Sequence, residues 1–296
     1  MEFRYVEPDR LNDTLDELAV LTSNLRSQGA KLEIVSGWGN LPCRYGEDVA
    51  TTLCTSTLAD RDTRNLLLGL LGKCTYWDED ASVAVADYIA VNGQDYPWLG
   101  AAFAATLVRE GQAVPLVTTS LAEFTGAVLA EFQGQELDLY FVACAEHLQQ
   151  AARWRFSVEN IQEGGFFEAC KDAFPRLLLA SGLSFSGFDG TYATLRDEVL
   201  RHLAALNDRF LEAYVAERGN SSAVSSRIGI SVSIEGNTRN SERLMRQRDV
   251  TYDGRIHRCE WHSKIEPHRN RIHFCVGDES IDGRILIGIF TDHLDT

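Results

Sequence analysis

The stretch that decides the fold of this 296-residue chain is RIHRCEWHSKIEPHRNRIHFCV, residues 255–276. Two runs with alternating side-chain character, 255–265 and 270–276, flank the polar turn EPHR. Alternation with a period of two is typical of β-strands, and a short proline-containing turn between two such runs indicates an antiparallel hairpin. A third strand, GRILIGIF at 283–290, is predicted to follow.

One register sorts the side chains of this hairpin by polarity. If Ile265 pairs with Asn270, the polar face carries three cross-strand pairs: Lys264 with Arg271, His262 with His273, and Glu260 with Cys275. The other face then carries the apolar pairs Trp261 with Phe274 and Cys259 with Val276. A slip of one residue would mix the two sets, so the alternation itself favours this register.

The polar face carries the groups that metal-free cleavage of RNA requires. A histidine or lysine can take the proton of a 2′-hydroxyl, Arg271 can stabilise charge on the phosphate, and a second histidine can protonate the leaving oxygen. Five of the seven histidines lie in the last forty residues, which adds His293 to the candidates. The predicted catalytic set is therefore Glu260, His262, Lys264, Arg271, His273 and His293, with no metal and no cofactor.

Two other interpretations of the same face stay open at this point. It is an ordinary solvent-facing sheet surface, where lysine, arginine, histidine and glutamate are common. Alternatively, it is a zinc site, because its carboxylate, imidazole and thiol groups suit zinc. The zinc ligands would be Glu260, His262, His273 and Cys275. The cations Lys264 and Arg271 would oppose a dication there.

The segment from Ile256 to Leu294 resembles the RelE/HigB/ParE-like toxin superfamily. The resemblance lies in a strand that ends in Lys264, a short polar turn, a strand that begins at Arg271, and the aliphatic strand after it. It implies a curved antiparallel sheet packed on helices and, for the ribonuclease members, metal-free mRNA cleavage, commonly on the ribosome. By this similarity Lys264 and Arg271 contact phosphate or stabilise charge. The implied acid–base residues are His262, His273 and His293.

The fold class predicted for the whole chain is α+β. Residues 1–218 read as a mixed helical and β region, and residues 219–296 as a C-terminal antiparallel β-sheet module that carries the site. The polar, small-residue stretch GNSSAVSS, 219–226, marks the predicted boundary. Apolar residues at helical spacing predict helices over 9–28, 59–72, 97–109, 159–173 and 191–218.

Charge is distributed unevenly along the chain, whose net charge is −15. Residues 226–296 hold 11 basic and 11 acidic groups, which balance. Residues 1–225 therefore hold the remaining 17 basic and 32 acidic groups and carry the whole net charge. An acidic body excludes a freely sliding nucleic-acid binder, which depends on phosphate neutralisation. The basic excess at 239–271, nine basic against five acidic groups, is where a polyanion would approach.

Several classes of protein are disfavoured by the rest of the sequence. No apolar run reaches the roughly 18 residues that a membrane span needs, so no membrane partner is expected. The first residues lack the pattern of a signal peptide, which predicts a cytoplasmic protein. Its seven cysteines form no CxxC pair and are expected to be reduced and mostly buried.

These observations lead to two functional hypotheses. The first is a metal-independent RNA-cleaving enzyme of the toxin or phage-defence effector type. Its partners would be RNA or the ribosome, and the acidic N-terminal region would bind a partner protein or restrain the module. The alternative is a non-catalytic interaction subunit of a multiprotein defence or regulatory complex.

Overall fold

The structure, a computed structural model, describes residues 8–44, 46–78, 88–96, 98–118, 124–277 and 279–294. The chain forms two compact units, Met1–Asn160 and Ile161–Thr296. Both units contain helices together with antiparallel strands, so the predicted α+β class is confirmed.

The first unit contains five α-helices and nine strands among its described residues. The helices are α1 (Leu11–Ser27), α2 (Val49–Thr55), α3 (Arg61–Leu71), α4 (Leu99–Arg109) and α5 (Glu146–Val158). The strands are β1 (Glu33–Ile34), β2 (Pro42–Arg44), β3 (Glu47–Asp48), β4 (Thr75–Tyr76), β5 (Ile89–Val91), β6 (Gln94–Tyr96), β7 (Leu116–Val117), β8 (Gly126–Phe132) and β9 (Gln135–Val142). Its largest sheet has the order β6-β5-β8-β9-β7.

Local sequence accounts for the helices that the periodicity predicts in this unit. The leucines of α1 that recur at helical spacing are buried in one core, as their periodicity requires. Asp60 caps α3, because its carboxylate accepts hydrogen bonds from the backbone N–H groups of Asp62 and Thr63. Burial of one apolar face per helix, rather than helix propensity alone, holds these elements in place.

The second unit carries a five-stranded sheet and the helices that pack on it. The helices are α6 (Glu163–Ala173), α7 (Tyr192–Ala205), α8 (Leu211–Ala216), α9 (Ser221–Ile228) and α10 (Glu242–Met245), with a π-helical turn, Leu206–Phe210, between α7 and α8. The strands are β10 (Leu177–Leu179), β11 (Val232–Ile234), β12 (Asp249–Tyr252), β13 (Arg255–Arg258), β14 (Trp261–Lys264), β15 (Arg271–Cys275) and β16 (Ile285–Thr291).

The sheet order is β10-β16-β15-β14-β11, and β12 and β13 form a separate hairpin. Within the five-stranded sheet, neighbouring strands are antiparallel, except that β10 runs parallel to β16. The predicted antiparallel C-terminal sheet therefore has one additional edge strand. That edge strand is β10, Leu177–Leu179.

The division between the two units differs from the predicted 218/219 boundary. The observed boundary lies at 160/161. The reason is that the π-helical turn between α7 and α8 packs against the C-terminal hairpin. Phe210 in that turn packs edge-on against Trp261 and Phe274, with ring centroids 5.5 and 5.0 Å apart. These contacts cover the apolar face of the hairpin, so residues before position 218 belong to the same core as the strands after it.

Among the described residues, no helix is both long enough and apolar enough to cross a lipid bilayer.

Close packing at Gly187 gives the first testable prediction. A Cβ added at position 187 would overlap the backbone carbonyl of Phe290 in β16, whereas one added at Gly182 would meet no atom within 4 Å. Because backbone atoms cannot rotate aside, Gly187→Ala should lower the free energy of unfolding by about 1–3 kcal/mol. Gly182→Ala is the control and should change it by less than about 0.5 kcal/mol. Denaturant unfolding of both variants measures the difference, and equal midpoints would contradict it.

Candidate functional site

The predicted register of the central hairpin is confirmed by the structure. Its strand partners are Trp261 with Phe274, His262 with His273, and Lys264 with Arg271. The turn closes as expected, because the backbone N–H of Ile265 donates to the carbonyl of Asn270 at 2.9 Å. Lys264, His262, Arg271 and His273 therefore share one face of the sheet.

The expectation that this whole face is open to solvent is wrong. His262 is 5% exposed and His273 is fully buried, whereas Lys264 and Arg271 are half-buried. The reason lies in the chain between β11 and β14, because Arg248 pairs there with Glu235, and Val250 and Cys259 pack with Cys275 of the same face. The face thus runs from a partly open end, at the two cations, to a closed end at the imidazoles.

A buried ion pair closes the inner end of the site. Arg248 Nε lies 2.9 Å from Glu235 Oε1, and these side chains are only 1% and 6% exposed. A second guanidinium nitrogen, Nη1 of Arg248, donates to the carbonyl of Leu244 at 2.9 Å. Since a buried charge without a partner costs several kcal/mol, each member of this pair holds the other in place.

His262 bridges the buried carboxylate and a half-buried hydroxyl. Its Nε2 lies 2.8 Å from Ser233 Oγ, its cross-strand partner on β11, and its Nδ1 lies 3.3 Å from Glu235 Oε1. Nδ1 faces this carboxylate without a hydrogen bond to it, while Nε2 faces the Ser233 hydroxyl. This serine–histidine–glutamate series is the arrangement in which a histidine accepts a proton from a hydroxyl.

His273 occupies a drier position than the proposed acid–base role requires. Its pKa is lowered to about 3, chiefly by burial and further by the imidazole of His262 and the cations Arg248 and Arg271, while Glu235 acts in the opposite direction. The imidazole is therefore neutral near pH 7 and is a poor proton donor to a leaving group. Among the described residues, neither ring nitrogen of His273 has a hydrogen-bond partner.

Two other residues predicted for the site lie outside this cluster. The ladder ends at Trp261, so Glu260 does not pair with Cys275; its carboxylate binds Arg239 instead, at 2.6 Å. His293 is exposed, and its Nδ1 lies 2.6 Å from its neighbour's carbonyl, Leu294 O. The structure thus does not bring either residue to the histidines, and the zinc ligand set containing Glu260 and Cys275 is not assembled.

The two cations at the open end differ from most arginines nearby. Arg239, Arg248, Arg258 and Arg269 each form an ion pair with a carboxylate. Within the described part of the chain, neither Lys264 nor Arg271 has a carboxylate within 4.0 Å, and Arg271 Nε is buried without a hydrogen-bond partner.

A cavity of about 410 Å³ begins beside Lys264, and Arg201 and Ser231 also line it. The open end of the face therefore combines positive charge with an unsatisfied buried donor, and among the residues that line the cavity only Lys264 belongs to this face. Anionic groups are the natural partners of such a site, because Arg and Lys bind phosphate or carboxylate oxygens through charge-assisted hydrogen bonds.

Sequence reasoning missed three members of the site: Ser233, Glu235 and Arg248. The run SVSIE, 231–235, does carry a signal, because its alternation places Ser233 and Glu235 on one face of a strand. No sequence signal shows that this strand lies beside β14. Arg248 reaches the site from a non-strand segment, Arg246–Arg248, so periodicity could not have found it.

Comparison with known proteins gives no further assignment. No protein-family model matches the chain, and no match was found among curated proteins or solved structures. The similarity to the RelE/HigB/ParE-like toxins therefore remains a prediction.

On the apolar side of the hairpin lies another buried histidine, His202, which produces a pH-dependent stability. The pKa of His202 is lowered to about 4, chiefly by burial and also by Arg201, while Glu198 acts in the opposite direction. Its Nδ1 lies 2.5 Å from Ser263 Oγ.

The unfolded chain takes up a proton at this imidazole below about pH 6.5, while the folded chain does so only near pH 4. Unfolding is therefore favoured as pH falls through this window, by at most about 1.4 kcal/mol per pH unit. Denaturant unfolding at several pH values should show a shallower pH slope in His202→Asn than in the wild type. Identical slopes would contradict this prediction.

The Glu235–Arg248 pair predicts a strongly position-dependent effect of removing an arginine. Arg248→Met should lower the free energy of unfolding by about 3–5 kcal/mol, because it leaves Glu235 charged and buried. Arg246→Met, at a residue whose side chain is 73% exposed, should change it by less than about 0.5 kcal/mol. Denaturant unfolding compares the two, and adding Glu235→Gln to Arg248→Met should restore part of the loss.

Proposed function

We propose that this protein cleaves RNA without a metal ion, at the open end of the β11-β14-β15 face. The observation that carries the proposal is the pair of cations, Lys264 and Arg271. They lack carboxylate partners in the described part of the chain and lie beside a histidine that contacts a hydroxyl. Single-stranded RNA supplies both a phosphate for the cations and a 2′-hydroxyl for the base. The resemblance of residues 256–294 to the toxin superfamily agrees with this substrate, which would be met in the cytoplasm, free or on the ribosome.

The proposed reaction uses each group in the position that it occupies. Lys264 and Arg271 bind the scissile phosphate and stabilise its developing charge. Ser233 takes the proton of the 2′-hydroxyl as its own proton passes to Nε2 of His262, and Glu235 stabilises the imidazolium that forms. Because Ser233 passes the proton on, His262 can act as the base without touching the substrate, although its side chain is almost wholly buried.

The remaining steps conserve every atom and charge. The 2′-oxygen forms a bond to phosphorus while the bond from phosphorus to the 5′-oxygen breaks. The departing oxygen takes a proton from the Lys264 ammonium. The products are a 2′,3′-cyclic phosphate and a 5′-hydroxyl, and water later returns protons to the amine and removes one from His262.

The proposal predicts cleavage of RNA, but not of DNA, in the presence of EDTA. The full chain is incubated with a labelled single-stranded RNA and with the DNA of the same sequence. Mass analysis should find a 2′,3′-cyclic phosphate, and a 2′-deoxy substitution at the cleaved nucleotide should stop the reaction. DNA cleavage, or a product that ends in a 3′-hydroxyl, would contradict the proposal.

Variants at the site test the assigned roles. Arg271→Ala should lower the cleavage rate by about 10²–10³ through lost charge stabilisation, and His262→Gln by about 10²–10⁴ through loss of the base. Arg255→Ala removes an exposed cation of the same unit and should leave the rate unchanged. Thermal unfolding is measured in parallel, so that a rate loss caused by misfolding is recognised.

A failed cleavage assay would favour the second hypothesis, a non-catalytic subunit. A chain that is inert on RNA under every condition, yet co-purifies in fixed proportion with one partner protein, would support it. In that case Lys264 and Arg271 would bind acidic groups of that partner.

A further inference from the structure

Three potential metal-ligand atoms converge at the closed end of the site, and no hydrogen bonds form between them. Glu235, His262 and His273 each offer one such atom, and these atoms all lie within 4.8 Å of one another. Glu235 Oε1 is 3.3 Å from His262 Nδ1 and 3.8 Å from His273 Nδ1. Among the described residues, neither Nδ1 atom takes part in a hydrogen bond.

Such an arrangement is unusual for a buried polar cluster. More than nine in ten buried polar groups have a hydrogen-bond partner, and an unmade bond costs about 1–3 kcal/mol. His273 is fully buried with both nitrogens unsatisfied, and yet its ring lies beside a carboxylate and a second imidazole. A group that accepts electron pairs from all three side chains would remove this cost, and a metal cation is such a group.

From this convergence we propose that Glu235, His262 and His273 bind a single zinc ion. Zinc ligands of this kind lie about 2.0–2.2 Å from the metal, so the edges of a tetrahedral site are about 3.3–3.6 Å long. The separation of 3.3 Å from Glu235 Oε1 to His262 Nδ1 falls within that range, and the separation of 3.8 Å to His273 Nδ1 is about 0.2 Å longer than its upper end. Two imidazoles and one carboxylate suit zinc, whereas magnesium and calcium prefer oxygen ligands.

The surroundings fit an exchangeable zinc ion. Ser233 contacts Nε2 of His262, which leaves Nδ1 for the metal and orients the ring, as outer hydrogen-bond partners do in zinc sites. Glu235 Oε1 lies 2.9 Å from Arg248 Nε as an ion pair without a hydrogen bond, so its lone pairs remain for a metal. The guanidinium charge weakens the binding of any dication, so the ion should be removable with EDTA.

Zinc binding also has a consequence for the proposed reaction, and this consequence alone rests on the proposed function. A metal on Nδ1 places the imidazole proton on Nε2, so His262 can no longer accept a proton from Ser233. Zinc is therefore an inhibitor of cleavage rather than a cofactor.

The full chain, freed of metal with EDTA and transferred to buffer, is titrated calorimetrically with zinc chloride. We expect one equivalent to bind. His273→Gln and Glu235→Gln should each weaken binding by more than about a hundredfold, since loss of an outer partner alone costs about 10- to 100-fold. His257→Gln removes a buried histidine outside the cluster and should retain the zinc. No binding by the wild type, or full retention by His273→Gln, would overturn the proposal.

A measurement on the wild-type protein keeps the proposal testable if those variants fail to fold. X-ray absorption of the zinc-loaded chain should show two imidazole ligands and no sulfur. A sulfur ligand would overturn the proposal and place the zinc at cysteines.

The cleavage assay then separates the two proposals. Zinc bound at the cluster of a chain that never cleaves RNA supports the metal site and refutes the proposed function. Cleavage by a chain that binds no zinc refutes the metal site alone.

Discussion

The ion pair between Glu235 and Arg248 is the interaction on which the closed end of the site depends. A sheet face that carries two histidines and two cations would ordinarily lie in water. Here a carboxylate at the end of one strand and a guanidinium from the covering segment neutralise each other in the interior. That neutralisation allows the covering segment to lie over the face, and the cover removes His262 and His273 from solvent.

Burial divides one row of side chains into two chemical environments. At the open end, Lys264 and Arg271 lack carboxylate partners among the described residues, which favours an anionic ligand. At the closed end, the dry surroundings keep His273 neutral and leave its nitrogens without hydrogen bonds. His262 lies at the junction, where it contacts both the half-buried Ser233 and the buried Glu235. The same residue therefore serves the proposed proton transfer and the proposed zinc site, which makes the two mutually exclusive.

The other side of the hairpin fixes the position of this face. Phe210 packs between Trp261 and Phe274, and the helix before it carries His202, whose ring lies against Ser263. The sheet is thus covered on both faces over its central strands. A small shift of β14 relative to β15 would disturb aromatic packing on one side and the histidine pair on the other, so the register is held from both directions.

The sequence by itself determined the hairpin, its register and the sharing of one face by His262, His273, Lys264 and Arg271. It could do so because the side-chain period of a β-strand is local and is written directly in the alternation of residues 255–276. Helix α1 was predictable in the same way, because the period of a helix is also local. Only the tertiary structure decided which groups join that face and how much water reaches it. Strand β11 and Arg248 arrive from separate parts of the chain. Their approach depends on long-range packing, and no local periodicity contains that information.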